Sequence, residues 1–214
     1  MTEIKICGIT NEEDAKAAVD SGVDFLGFNF YPKSPRFIAP GKAKEIIDAL
    51  SSDIARVGVF VNEEISVIEQ TIRDCSLNLL QLHGDETVLF CEELKYKIKD
   101  YKLIKVFRID NEQDMKFIPE FGKVADYYLL DTYSVDKFGG TGRTFSWNLA
   151  CQIKKMGKPI FLSGGLTPEN VEEAIKKVDP FCVDVASGVE SYSGKKNLEK
   201  MKLFVEQVRS FHSG

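Results

Sequence analysis

Short apolar runs recur along the chain at spacings of roughly 20 to 33 residues, and a stretch with helical periodicity follows each run. The runs are rich in β-branched and aromatic residues, which favours strands. The eight predicted strands are Ile4–Cys7, Asp24–Phe28, Arg56–Val61, Asn78–Leu82, Leu103–Phe107, Asp126–Leu130, Pro159–Leu162 and Cys182–Val185. The pattern therefore predicts eight strand–helix units.

The intervening segments carry helix signals. In "NEEDAKAAVDSG", Asn11 is placed to cap a helix and Gly22 to terminate it. In "TPENVEEAIKKV", Thr167 is the predicted N-cap and Pro168 occupies the first helical position. The segment "NLEKMKLFVEQVRSF" predicts a closing amphipathic helix.

Eight strand–helix units predict an α/β protein, a single (β/α)8 TIM barrel near the short end of the usual length. An open doubly wound sheet is the alternative, but such sheets usually stop at about five or six strands. Because no linker rich in Pro, Gly or Ser divides the chain, we expect residues 1–214 to form one domain.

Composition narrows the function classes. The 214 residues carry a formal net charge of −5 without a basic stripe, which argues against a nucleic-acid surface. No apolar run approaches the roughly 20 residues of a membrane span, and the N-terminus lacks a signal-peptide pattern. The 5 cysteines are scattered without a C-x-x-C motif and there are only 2 histidines, so we expect no disulfide framework and no metal site. We expect a cytoplasmic protein.

Active sites of such barrels lie at the carboxyl ends of the strands, and three predicted strand ends carry glycine-containing loops. Glycine lets backbone N–H groups approach a phosphate closely. The candidate phosphate-binding residues are Gly140, Gly142, Ser163, Gly164, Gly165, Ser187 and Gly188. The alternative is that these glycines only make tight turns.

Cys7 and Asp131 stand at the ends of the first and sixth predicted strands, where a thiol and a carboxyl offer a base and an acid for proton transfer. Strand alternation puts Lys5 on the same face as Cys7, with Asp184 on the neighbouring eighth strand. We hypothesise that Lys5 lowers the pKa of the thiol and that Asp184 holds the ammonium. The alternative is an ion pair that only allows Lys5 to be buried.

Two further polar residues follow strand ends. Arg36 is a candidate to bind a substrate carboxylate through two parallel hydrogen bonds, although "KSPR" also suits a solvated turn. His83 is a candidate to polarise or stack on the substrate, although a loop histidine is more often satisfied by its neighbours.

Taken in order, eight segments give the chain a resemblance to the phosphoribosylanthranilate isomerase family of tryptophan biosynthesis. They are "KICGIT", "GFNFYPKSPR", "VGVFVN", "QLHGDE", "LLDT", "GGTGRTF", "LSGGLTPENV" and "VDVASGVE", which span nearly the whole chain. The combination is specific, and "KICGIT" with "QLHGDE" discriminates most.

The resemblance implies an Amadori rearrangement of N-(5-phosphoribosyl)anthranilate in a (β/α)8 barrel, without cofactor or metal. It implies that Asp131 is the general acid that protonates the ribose ring oxygen and that Cys7 is the general base at C2′. It also implies that Arg36 contacts the anthranilate carboxylate and that the glycine loops bind the phosphate.

Some positions depart from the family pattern. Ser146 replaces a usual aspartate at a helix start, where serine also caps. Ala186 replaces a common serine, which removes one hydroxyl from the phosphate site and leads us to expect weaker substrate binding at most. Ser193 and Asn197 replace proline and aspartate, so we expect a looser start to the last helix.

Two other functions remain as alternatives. Another phosphosugar barrel enzyme would need a strand-end lysine with glutamates, as in an indole-glycerol-phosphate synthase-like cyclase, or histidines and aspartates for a metal, as in a pentose-phosphate epimerase. Lys105 lies inside the fifth predicted strand and histidines are few. A non-catalytic barrel that binds a phosphorylated metabolite would be expected to lose Cys7 or Asp131. The sequence leaves a monomer and a homodimer equally open.

Overall fold

The computed structural model describes residues 1–50, 54–131 and 147–211, and eight parallel strands close into a barrel in chain order. The strands are β1 Glu3–Cys7, β2 Phe25–Asn29, β3 Ala55–Phe60, β4 Leu79–Leu82, β5 Lys102–Arg108, β6 Tyr127–Asp131, β7 Ile160–Ser163 and β8 Cys182–Val185. Each predicted strand is found, with both of its ends within one residue of the predicted ends. The prediction of a (β/α)8 barrel is therefore confirmed.

Helices surround the barrel. They are α1 Glu12–Asp20, α2 Pro40–Ala49, α3 Ile65–Cys75, α4 Val88–Lys97, α5 Trp147–Lys154, α6 Val171–Val178 and α7 Leu198–Ser210. A 3-10 helix, Glu112–Lys123, stands between β5 and β6 and contains Pro119, whose missing N–H disfavours a regular α-helix. A short 3-10 turn, Ser187–Val189, and a hairpin of β9 Glu190–Tyr192 and β10 Lys195–Lys196 separate β8 from α7.

The barrel closes where β1 pairs with β8, and this register positions the candidate site. Lys5 stands beside Asp184 of β8 on one side and beside Phe25 of β2 on the other, and Cys7 stands beside Gly27. Strand alternation then sends Ile4 outward to the helices and sends Lys5 into the barrel.

The same alternation produces two apolar cores. Buried residues on the outer faces of the strands pack against the helices. A second cluster contains alternate residues of β2 to β8: Phe25, Val57, Leu79, Ile104, Val106, Leu129, Phe161 and Cys182. This packing supports the carboxyl ends of the strands from below, so the side chains there stand on a rigid base.

Side-chain caps define two of the predicted helices. Asn11 accepts a hydrogen bond of 2.9 Å from the Asp14 backbone N–H, and α1 ends before Gly22, whose φ is 83°. Asn197 accepts a hydrogen bond of 3.0 Å from the Lys200 backbone N–H at the start of α7. Asparagine therefore supplies the capping oxygen here, and the expected looser start relative to the family pattern stays a prediction.

The prediction that Thr167 caps the sixth helix, with Pro168 as its first residue, is also wrong. That helix begins at Val171. The Asn170 side chain accepts a hydrogen bond of 2.8 Å from the Thr167 backbone N–H, so residues 167–170 form a turn first. The cause is local, since a side chain that bonds the backbone three residues earlier competes with the first helical turn.

Among the helices of the described residues, none is long and apolar enough to cross a membrane.

The amino end of β1 generates a pH-dependent prediction. Burial, followed by the neighbouring Asp24 carboxyl, raises the pKa of Glu3 from 4.5 to about 7. A neutral Glu3 therefore favours the fold fully below pH 4.5, and this contribution is lost as the pH rises through 7. We expect Glu3→Gln to raise the melting temperature at pH 8 and to change it little at pH 5.

Differential scanning calorimetry at the two pH values measures this difference. Glu92→Gln, which removes an exposed carboxylate from α4, is the matched control and should show no such pH dependence. Equal shifts of Glu3→Gln at both pH values would contradict the prediction.

Candidate active site

The carboxyl ends of the strands enclose a cavity of about 220 Å³. It brings together most of the predicted site residues, namely Cys7, Arg36, His83, Asp131, Ser163, Gly164, Gly165, Asp184, Ser187 and Gly188. Lys5 lies fully buried in the barrel interior. Gly140, Gly142 and Ser146 lie outside the described residues.

A wider groove of about 810 Å³ adjoins the cavity, and the two share Asn29, Arg36, Val59 and His83. Tyr31, Pro35 and Arg108 line the groove further out. The site therefore has a narrow part, where Cys7 and Asp131 lie, and a broader part beside Arg36 and Arg108.

The Cys7 thiol fits at the end of β1 because its neighbour on β2 is glycine. A Cβ atom at Gly27 would lie 2.9 Å from Cys7 Sγ and 3.1 Å from Lys5 Nζ. Real Cβ atoms are almost never closer than 3.0 Å to such neighbours, so any larger residue would displace the thiol. The thiol and the Lys5 ammonium therefore both border the space that a Cβ atom at position 27 would occupy.

Lys5 is held from the β8 side. Its Nζ lies 2.9 Å from Asp184 Oδ1, and the Ser163 hydroxyl donates to Asp184 Oδ2 at 3.2 Å. Burial alone would lower the pKa of Lys5, but the Asp184 carboxylate outweighs it and holds that pKa above its usual value. Lys5 therefore remains a cation beneath the thiol.

Burial and the neighbouring charged groups shift the pKa of the Cys7 thiol in opposite directions. Burial raises its pKa most, the Asp184 carboxylate adds to the rise, and the ammonium groups of Lys5 and Lys196 lower it. The net pKa of the thiol lies above its usual value. The Lys5 ammonium opposes part of the effect of burial, while the thiol pKa stays above that of an ordinary cysteine, and the activating role of Lys5 stays a hypothesis. The other described cysteines line no part of the cavity: Cys75, Cys91 and Cys151 lie in helices, and Cys182 begins β8.

Asp131 ends β6 and faces His83. His83 Nε2 lies 3.3 Å from Asp131 Oδ2, and its Nδ1 lies 3.2 Å from the Gln81 side-chain nitrogen. These two contacts, with Gln81 on one side of the ring and Asp131 on the other, hold the imidazole beside the carboxyl group. His83 therefore fixes the orientation of Asp131. Gln81 is a residue that sequence reasoning missed, because "QLH" reads as an ordinary end of a strand.

Arg36 lies at the rim and binds a carboxylate of the protein itself. Its Nε and Nη2 donate to Glu190 Oε1 and Oε2 at 2.8 and 2.7 Å. Lys196 Nζ donates to the same Glu190 at 2.9 Å and to the Cys7 backbone carbonyl. Sequence reasoning missed Glu190 and Lys196 because no strand-end rule points to the hairpin between β8 and α7.

The loops after β7 and β8 meet at the far side of the cavity. A Cβ atom at Gly188 would lie 1.9 Å from the Leu166 carbonyl oxygen, so only glycine permits this approach of the two loops. Ser163, Gly164, Gly165 and Ser187 line the cavity beside it. Ala186 also lines it, without the hydroxyl that a serine would add.

Across residues 1–50, 54–131 and 147–211, no group of three or more His, Cys, Asp or Glu side chains is arranged to hold a metal ion.

Comparison with known proteins identifies relatives of this arrangement. Residues 4–207 match the family described as N-(5'phosphoribosyl)anthranilate (PRA) isomerase. The N-(5'-phosphoribosyl)anthranilate isomerase of Geotalea uraniireducens is 47% identical over 209 residues, which cover 98% of this chain and 99% of the relative.

Solved structures agree with the sequence relatives. The phosphoribosyl anthranilate isomerase from Thermotoga maritima is 42% identical with a TM-score of 0.89, covering 98% of this chain and 100% of its own. A phosphoribosyl anthranilate isomerase in complex with reduced 1-(o-carboxyphenylamino)-1-deoxyribulose 5-phosphate is 40% identical with a TM-score of 0.87, at 98% and 100% coverage.

The contact between Lys5 and Cys7 generates a prediction about thiol reactivity. In Lys5→Met the ammonium that lowers the Cys7 pKa is lost, so we expect that pKa to rise. In Lys5→Met/Asp184→Asn the carboxylate that raises the thiol pKa is lost as well, so we expect a smaller rise.

The rate of iodoacetamide alkylation as a function of pH, followed on the Cys7 peptide by mass spectrometry, measures both effects. The Cys151 peptide of the same samples is the internal control, since that thiol lies in α5. If the Cys7 thiol of Lys5→Met titrates like that of the wild type, Lys5 does not lower the thiol pKa. The ion pair of Lys5 and Asp184 then has only a structural role.

Proposed function

The chain belongs to the N-(5'-phosphoribosyl)anthranilate isomerase family, and on that premise we propose that Cys7 and Asp131 carry out the two proton transfers of its Amadori rearrangement. The substrate is N-(5-phosphoribosyl)anthranilate and the product is 1-(2-carboxyphenylamino)-1-deoxyribulose 5-phosphate, in tryptophan biosynthesis. One observation carries the proposal: a thiol and a carboxyl line a single cavity together with two glycine-containing loops at the carboxyl end of the barrel.

The shape of the site supports one orientation of the substrate. The phosphate binds at Ser163, Gly164, Gly165, Ser187 and Gly188, and the family resemblance adds Gly140 and Gly142. The anthranilate ring then occupies the wider groove, where its carboxylate meets the Arg36 guanidinium. The ribose lies between these ends, beside Cys7 and Asp131.

In the first step the protonated Asp131 gives its proton to the ribose ring oxygen. The bond between C1′ and this oxygen breaks as the nitrogen lone pair forms a C1′=N bond, which yields the open-chain Schiff base and the Asp131 carboxylate. His83, which contacts Asp131 Oδ2, keeps the carboxyl group directed at the sugar.

In the second step the Cys7 thiolate removes the proton from C2′. The electron pair of the broken C–H bond forms C1′=C2′, and the C=N electrons return to nitrogen. The resulting enol-amine tautomerises to the ketone at C2′. Lys5 and Lys196 favour the thiolate that this step requires, and Asp184 keeps Lys5 in place.

Both steps are proton transfers, so the proposed mechanism uses no cofactor and no metal. The partner is a phosphorylated small molecule rather than nucleic acid or a membrane, and residues 1–214 act as one barrel domain, as a monomer or a homodimer. We propose a cytoplasmic location, where such biosynthetic enzymes find their substrates.

The environment of Lys105 disfavours a cyclase with a catalytic strand-end lysine. Lys105 lies within β5, where its Nζ donates to Glu86 Oε2 at 2.7 Å and to the Gly84 carbonyl at 2.8 Å. These bonds join Lys105 to the loop after β4 and give it a structural role.

The proposal predicts the kinetics of two variants. Cys7→Ser replaces the thiol with a much weaker acid, and Asp131→Asn cannot donate an acidic proton. We expect each to reduce kcat by about 10²- to 10⁴-fold, the usual contribution of a positioned acid or base. The loss of fluorescence of freshly generated phosphoribosylanthranilate, in buffer with a chelator, measures the rate.

Cys151→Ser and Asp179→Asn are the matched controls, because neither residue lines the cavity, and both should retain wild-type rates. If only one of Cys7→Ser and Asp131→Asn loses activity, the proposed reaction stands, but the residue whose variant remains active does not have its proposed role. If the wild type binds phosphate ligands but does not consume the substrate, the proposed reaction is contradicted and a binding protein is favoured.

A further inference from the structure

A chain of three charged side chains connects the rim of the site to the backbone of Cys7. It consists of Arg36, Glu190 and Lys196, which we call the rim triad. Glu190 begins β9 and Lys196 ends β10, and their exposed fractions are only 6% and 3%. Burying a charge costs free energy of folding unless the charge is paired. The pairing of Glu190 and Lys196 within the rim triad therefore needs an explanation.

The pair of Arg36 and Glu190 fixes the plane of the guanidinium. Two parallel hydrogen bonds of 2.8 and 2.7 Å use Nε and Nη2, the edge of the guanidinium nearer the aliphatic stem. Within the described part of the chain, Arg36 Nη1 has no hydrogen-bond partner. Arg36 lines both the cavity and the wider groove. The N–H groups of its Nη1 are therefore available to donate to an anion that enters the site.

Lys196 fixes Glu190 in turn. Its ammonium donates to Glu190 Oε1 at 2.9 Å, to the Ala186 carbonyl at 3.2 Å and to the Cys7 carbonyl. The Arg36 end of the triad is thereby tied to the strand that carries the thiol. One carboxylate between two cations also leaves the triad with a net positive charge beside a site for an anionic substrate.

The protonation states agree with this arrangement. Burial would raise the pKa of Glu190, but the hydrogen bonds from Arg36 and the nearby Lys196 hold it below its usual value. Glu190 is therefore a carboxylate at neutral pH and accepts from both cations at once.

We propose that Glu190 is a positioning residue that presets Arg36 for the carboxylate of the aromatic amine, with Lys196 anchoring Glu190 to the backbone of Cys7. This inference rests on the proposed function, because it assigns the specificity of the same site. A guanidinium held in its binding orientation loses less freedom when the substrate arrives, so its contact with the substrate becomes more favourable.

Glu190→Gln tests the proposal, since the amide has the same size but only one acceptor oxygen. The ligands are reduced 1-(o-carboxyphenylamino)-1-deoxyribulose 5-phosphate and the same compound without the carboxyl group, with affinities from isothermal titration calorimetry. We expect the Kd of the carboxylated ligand to rise about tenfold, because the guanidinium then has to be ordered when this ligand binds, and that of the other ligand to change less than about twofold.

Turnover provides a second readout. For Glu190→Gln we expect KM to rise about tenfold while kcat stays within about threefold, because the reacting atoms keep their partners. A purely structural defect would reduce kcat and the affinity for both ligands together.

A second variant separates the loss of the positioning role from a loss of stability. Glu190→Gln leaves the buried Lys196 ammonium without its counter-charge, whereas Glu190→Gln/Lys196→Met removes both buried charges. We expect this double variant to regain the melting temperature of the wild type and to keep the selective loss of affinity for the carboxylated ligand. In an Arg36→Met background, Glu190→Gln should cause no further selective loss, since it acts through Arg36.

The outcomes separate this proposal from the proposed function. If either Glu190 variant distinguishes the two ligands as well as the wild type does, or weakens both equally, the positioning role is overturned even where turnover is normal. If the wild type distinguishes the ligands but does not turn over the substrate, the reaction is contradicted while the role of Glu190 stands.

Discussion

The pairing of β1 with β8 is the constraint on which the site depends. It places Lys5 beside Asp184, residues 179 positions apart in the chain, and buries their ion pair in the barrel. Closure also fixes which side chains point inward, so that a thiol ends β1 and a carboxyl ends β6 at the same end of the barrel. A break in this pairing would separate the thiol from the cations beneath and beside it, and would release the loop after β8.

Charge at the site is arranged in two linked layers. The lower layer is the ion pair of Lys5 and Asp184, and the upper layer is the rim triad. Both layers contain cations that oppose the effect of burial on the Cys7 pKa, and burial still prevails. The raised pKa is compatible with the proposed role of Cys7 as a base, since a more basic thiolate is better at removing a proton from carbon, although less of it forms at neutral pH.

Local patterns in the sequence predicted the scaffold well. The strands were evident because their β-branched runs are bounded by turns and caps, and the strand ends led to Cys7, Asp131 and the glycine loops. The start of α6 was missed because Asn170 bonds back to Thr167 and delays the helix. Glu190 was missed for a different reason. Its partner Arg36 lies 154 residues away, and only the folded hairpin brings the two together.

A crystal structure of the protein with reduced 1-(o-carboxyphenylamino)-1-deoxyribulose 5-phosphate would test the proposed arrangement of the site most directly. We expect the ligand phosphate on the loops after β7 and β8, C2′ beside Cys7 Sγ, and the carboxylate within about 3 Å of Arg36 Nη1 while Arg36 still binds Glu190. A ligand in the reverse orientation, or a carboxylate that displaces Glu190 from Arg36, would contradict the proposed roles of these residues.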